Sequence, residues 1–238
     1  MCTLTLNKVQ NTLVFTSNRD DNVLRNATEF VSFSGNNNQI YYPKDKLTEG
    51  TWLAFDQQGN LAILLNGCDE KHTKMPYHTK SRGYIALDFF KMNTNIEGFA
   101  QKCNFNSFEP FTLVVLKNNQ LQELKWNEKD TQATIFKEIP NHKIWSSVTL
   151  YNKESRVKRE RIFDDFIRKS TPHKTKIFSL LSTQTKDLEN GFCMQRPNVQ
   201  TLATSQIEVL QNEIRFKAFN HISKETNQLN IPTNEVLV

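Results

Sequence analysis

The chain has 238 residues, 37% hydrophobic and 23% charged, with 30 basic and 25 acidic side chains and a net charge of +5. This balance fits a folded globular protein with a sizeable core. It excludes a disordered chain and is too mild to argue for a nucleic-acid partner. No apolar run reaches the roughly 18 residues of a membrane span, and "MCTLTLNK" lacks the basic and apolar regions of a secretory leader, so a cytoplasmic location is expected.

"CTLTLN" alternates: Cys2, Leu4 and Leu6 fall on one side, Thr3 and Thr5 on the other. "NTLVFTSN" reads as a second strand, with "NKVQN" as the hairpin loop between them. Further strands are expected at 38–42, 51–56 and 60–66, the last two joined by the turn "DQQGN". Apolar residues at helical spacing predict a helix over 80–102. Strands resume at 110–117 and 120–126 around the turn "KNNQ", and again at 143–150. A basic helix is predicted over 152–169, with Val157, Ile162, Phe163, Phe166 and Ile167 as its apolar stripe and its charges on a solvated face. A short helix near 176–182 and strands at 191–195, 199–210 and 213–219 complete the chain. Strands in runs with grouped helices predict an α+β fold of layered antiparallel sheets, in one domain over 1–238.

The cysteines are Cys2, Cys68, Cys103 and Cys193. None forms a C-x-x-C pair, and the histidines are scattered. No metal or other cofactor is expected. With a loop centred near Val9, residues whose numbers sum to about 18 or 19 pair, so that Cys2 faces Thr16 or Ser17. Asn18, Arg19, Asp20 and Asp21 then begin just past the pairing and crowd around the chain's start. Removal of Met1 would leave a thiol and an α-amine on one residue. With reference pKa values of about 8.5 and about 7.7–8.0, the amine is able to serve as base for its own side chain.

"MCTLTL…TSNRDD" resembles the start of the NRDE family, also called the transport-and-Golgi-organisation type. "GTWLAFDQQGNLAILLNG", "KSRG", "PFTLVVL", "IWSSVTLY" and "NGFCMQRPNVQTLATSQIEV" follow in the family's order. The family is similar to the cysteine N-terminal nucleophile hydrolases, such as penicillin V acylases and bile-salt hydrolases. That resemblance implies a four-layer αββα sandwich and hydrolysis of a nonpeptide amide. Cys2 would be the nucleophile, positioned by Arg19 with Asp20 or Asp21. Asn66 would be the oxyanion donor, or simply a strand-end residue bonding its own turn. Asp21 stands where the motif usually has glutamate. Where those amidases carry a second asparagine and a late arginine, this chain has Ser146, Ser147, Thr204 and Ser205. Ser146 and Ser147 are thus candidate substrate contacts together with Trp52, although Trp52 also reads as a core aromatic beside the Gly50 turn. The expected partner is a small-molecule amide or acyl substrate. The alternative is a non-catalytic binding or trafficking protein for lipid- or haem-like ligands on the same scaffold.

Overall fold

Two strands, β1 (Thr3–Val9) and β2 (Thr12–Asp21), form the expected hairpin. The turn lies later than the sequence implied. Gln10 takes a left-handed φ of 54°, Val9 pairs with Thr12 and Thr3 pairs with Asn18, so paired numbers sum to 21. Thr16 and Ser17 therefore face Thr5 and Leu4, and the expected pairing of either with Cys2 does not hold. Asn18–Asp21 is part of β2 rather than a segment beyond it. The structure, a computed structural model, describes residues 3–26, 29–35, 38–169 and 172–233; Cys2 lies outside them.

Contacts separate the chain into two units, one built from residues 3–26 and 140–232, the other from 29–139. The second unit is a seven-stranded antiparallel sheet. Its strands are β3 (Glu29–Gly35), β4 (Asn38–Lys44), β5 (Leu53–Asp56), β6 (Leu61–Asn66), β7 (Phe111–Lys117), β8 (Gln120–Trp126) and β9 (Thr131–Ile135), paired in chain order. Neither β3 nor β9 was expected. Asn118 and Asn119 both have positive φ, 50° and 56°, the signature of the type I′ hairpin turn.

Between β6 and β7 the expected single helix is two, α1 (Ile85–Met92) and α2 (Ile96–Lys102). Asn93 breaks it by adopting the left-handed region at φ 44°, and the Asn95 side chain caps α2 by accepting from Gly98 N. The core here is aromatic. Phe99 meets Phe89 and Phe105 edge-on at 5.4 and 5.5 Å, and Phe105 meets Phe111 at 5.3 Å. The Gly50 and Gly83 backbones touch: Thr51 N–H donates to Gly83 O at 2.8 Å, and a Cβ on Gly50 would lie 2.7 Å from Gly83 C.

The first unit continues with β10 (His142–Ser146), α3 (Lys153–Lys169), α4 (Lys174–Ser182), β11 (Gln200–Val209), β12 (Glu213–Asn220) and β13 (Thr226–Pro232). Its antiparallel sheet has the order β10-β1-β2-β11-β12-β13. β10 stops at Ser146, short of the expected 150. Residues 191–195 are not a strand; Cys193 and Gln195 make isolated bridges to Gln184 and Gln200. α3 and α4 lie against one face of this sheet through Phe163, Leu181 and Phe192, with Ile144 and Ile167 beside them. Among the described residues no helix is long and apolar enough to cross a membrane.

Candidate functional site

Strand alternation divides the Asn-Arg-Asp-Asp stretch between two faces of the sheet. Arg19 and Asp21 share one face, with Arg19 Nη2 at 3.8 Å from Asp21 Oδ2. Asp21 also pairs with Arg25 at 3.1 Å, and its Oδ1 accepts from Asn22 N–H. Arg19 is buried; Asp21 is half-buried.

Asn18 and Asp20 point the other way, toward the helices. Asn18 is fully buried. Its amide donates to the carbonyls of Leu181 and Phe192 at 2.9 and 2.8 Å, and its Oδ1 accepts from Thr204 Oγ1 at 2.8 Å. Asp20, also buried, accepts from Tyr151 Oη at 2.7 Å and from Thr201 Oγ1 at 2.6 Å. The two aspartates are thus not equivalent. Asp20 is occupied by two hydroxyls on the helix side, while Asp21 stands with Arg19.

The donors fix a proton arrangement beyond Asn18. The Thr204 hydroxyl gives its hydrogen to Asn18 Oδ1, so the 2.9 Å contact with His221 Nε2 requires that nitrogen to donate. His221 Nδ1 is then a bare acceptor, 3.7 Å from Cys193 Sγ. Burial, reinforced by Lys224, lowers the His221 pKa to about 4. Burial and the nearby Asp20 charge push the Cys193 thiol up. The pair is neutral thiol and neutral imidazole, a poor nucleophile. Cys68 is less reactive still, pushed up to about 12 by burial and by Asp69.

Segment 190–194, part of the "NGFCM" mark, is gripped from α3. Arg159, fully buried, donates to the carbonyls of Asn190, Gly191 and Phe192 and to Thr3 Oγ1. Sequence reasoning left Arg159 on a solvated helix face. Its signal was its place four residues before Phe163, on the stripe that packs. Val157 and Ile162, expected in that stripe, are instead exposed.

The other candidates fall as follows. Ser146 pairs with Thr3 across β1, and Thr3 with Asn18, so Ser146 shares the helix-side face and not that of Arg19. Ser147 is buried and bonded to Thr149 at 2.9 Å. Trp52 is buried just ahead of β5, and Asn66 ends β6 half-buried before Gly67, whose φ is 85°. Both belong to the seven-stranded unit. Among the described residues no cluster of three or more His, Cys, Asp or Glu side chains is placed to hold a metal ion.

A family model described as Transport and Golgi organisation 2 matches residues 1–234. The chain belongs to this family. No curated protein matches it in sequence. Among solved structures, the family member is similar to a Caenorhabditis elegans N-acylethanolamine-hydrolyzing acid amidase ortholog, at 12% identity and a TM-score of 0.58 over 87% of this chain and 92% of that one. Two Clostridium perfringens conjugated bile acid hydrolase structures are also similar. An arginine variant matches at 9% identity and TM-score 0.59 over 100% and 98% of the two chains, and a cysteine mutant at 10% and 0.58 over 97% and 92%. The fold of this Transport and Golgi organisation 2 protein is therefore the α+β, αββα-sandwich class of the N-terminal nucleophile hydrolases.

Proposed function

We propose that this protein is a binding or trafficking protein for lipid- or haem-like small molecules, built on the scaffold of a cysteine amidase. The match to the Transport and Golgi organisation 2 family over 1–234 carries this reading. It supports transport more directly than amide hydrolysis, since the amidases resemble the chain in fold at 9–12% identity. The two units act as one domain, because the chain leaves the first near residue 26 and returns to it at 140. Titration of the purified chain with haem and with a fluorescent fatty acid tests the reading. Saturable binding that survives Cys2→Ala is expected; no binding of either probe would sink it.

The second reading is hydrolysis of a nonpeptide amide through an acyl-Cys2 intermediate after loss of Met1. The buried Arg19, close to Asp21, favours it. In this scheme Arg19 holds the acyl group or favours the thiolate, Asp21 orients the amine, and Asn66 donates to the oxyanion. Intact mass decides the first requirement, since a retained Met1 excludes the mechanism. Labelling of Cys2 by an acyl electrophile, faster than at Cys68, Cys103 and Cys193, is expected if the chain is an enzyme. Slow, equal labelling would leave the binding reading alone.

A further inference from the structure

The short helical turn after β2 (Val23–Arg25) carries aliphatic side chains that the core does not take up. Val23 is 48% exposed and Leu24 76%, and Leu188, from a distant stretch of the chain, is 41% exposed. With Pro197 and Val199, these three line one cavity of about 690 Å³ in the six-stranded unit. That volume falls within the roughly 300–1,000 Å³ of small-molecule sites, which are mostly apolar with a few polar groups. The walls are set by short-range bonds. Gln195 N–H donates to Leu188 O and Arg196 N–H to Val199 O, both at 2.8 Å. Gln195 bridges to Gln200, and Asn22 Oδ1 accepts from Leu24 N–H at 3.0 Å.

The charges around the cavity are already matched. Of the other lining residues, Asn22, Gln195, Asn198 and Gln200 carry carboxamides, and Arg196 alone is ionised. Its Nε and Nη2 donate to Glu189 O at 3.1 and 2.7 Å, and its Nη1 donates to Leu150 O at 3.0 Å. The Glu189 carboxylate lies 3.3 Å from it. Asp21, paired across the sheet with Gln200, is held by Arg19 and Arg25. An ionised headgroup seated here would lose water without gaining a counter-ion, which is costly. Carboxamides both donate to and accept from hydroxyls and esters, and aliphatic walls favour a hydrocarbon tail. We propose that this cavity binds an uncharged single-chain amphiphile, its acyl tail against Val23, Leu24 and Leu188 and its hydroxyl-bearing head at the carboxamides. The site deepens the binding reading and rests on it. No lining residue is among the candidate catalytic residues, so the site stands without Cys2.

The test is equilibrium binding of a fluorescent monoacylglycerol to the full chain, beside the fatty acid of the same tail and label. At pH 8, where the acid is ionised, the glyceride is expected to bind roughly tenfold more tightly. Equal affinities, or a preference for the acid, overturn the proposal. Leu24→Glu and Leu188→Glu each set a carboxylate against the tail and are expected to weaken glyceride binding roughly tenfold or more. Leu24→Met and Leu188→Met hold it within about twofold. Glutamate variants that bind like the wild type overturn the proposal, as do methionine variants that lose as much as the glutamate ones. Should a glutamate variant not fold, a photoactivatable monoacylglycerol on the wild-type chain decides: adducts at 22–24, 188 or 195–200 are expected, and adducts elsewhere overturn it. A chain that binds haem or the fatty acid, with glyceride binding unmoved by the glutamate variants, fails this proposal alone. A chain that binds none of the three probes fails the binding reading, and this proposal with it.

Discussion

The two units bury different things. The seven-stranded unit fills its interior with Phe89, Phe99, Phe105, Phe111 and Trp126 around aliphatic strands. The helix side of the six-stranded unit buries Asn18, Asp20, Arg159, Thr201 and Thr204. Apolar burial is non-directional and tolerates small shifts. A polar interior stays folded only where each donor and acceptor is matched, so it specifies geometry as well as stability. The unit that carries the Asn-Arg-Asp-Asp stretch is matched in this way around Asn18, Asp20 and Arg159. Its backbone is pinned by directional bonds at Leu181, Asn190, Gly191 and Phe192.

Substitutions separate the two modes. Phe99→Ala opens a cavity beside the Phe89 and Phe105 rings and is expected to cost about 3–5 kcal/mol in urea unfolding. A loss under about 2 kcal/mol would mean the aromatic core collapses onto the gap. Asn18→Ala strips the Leu181 and Phe192 carbonyls and the Thr204 hydroxyl of a partner, at about 3 kcal/mol. If it proves neutral, water replaces the side chain and the polar unit is not the directional structure described. Tyr151→Phe removes one hydroxyl from Asp20, and about 1–2 kcal/mol of lost stability is expected by the same measurement.

The polar unit carries a pH signature of its own at His221. The His221 pKa is depressed in the fold to about 4, against about 6.5 unfolded. Its contribution is thus fully present above about 6.5 and is lost as the pH falls toward about 4, because the unfolded chain takes up the proton first. Chemical denaturation at pH 7 and pH 4.5 should show a loss of stability that His221→Gln reduces; an unchanged loss in the variant would assign it elsewhere. The smallest effect expected is from Lys158→Ala. It breaks the exposed pair with Asp187 for about 0.5 kcal/mol or less, and a larger cost in the same unfolding assay would tie the α3 surface into the buried network.

Much of the layering was legible because alternation and turn chemistry are local. Gly59 at φ 83° and the Asn118–Asn119 turn sit where the sequence puts them. The first hairpin was misregistered because its turn uses Gln10 in the left-handed region, a residue without the usual Gly or Asn signal. That slip hid the division of the Asn-Arg-Asp-Asp stretch, which needs the stretch to be strand. Arg159 was misplaced because a charge on a helix is ordinarily solvated; what buries it is four acceptors from distant parts of the chain, and no local pattern encodes them. Ser146 faces the helices for a reason equally invisible in one segment, its pairing with Thr3.

The contact between Gly50 and Gly83 changes what two marks of the sequence are worth. "GTW" and "KSRG" stand 33 positions apart at their glycines and look like separate testimony. Yet a side chain on Gly50 would occupy the backbone of Gly83, and one on Gly83 would reach within 3.2 Å of Gly50 Cα. The two marks are one mechanical fit: a side chain on Gly50 forces the Gly83 backbone to move, and one on Gly83 needs Gly50 to give slightly. In any account of kinship or chemistry they count once, as a lock between backbones, and not twice as witnesses to a reaction.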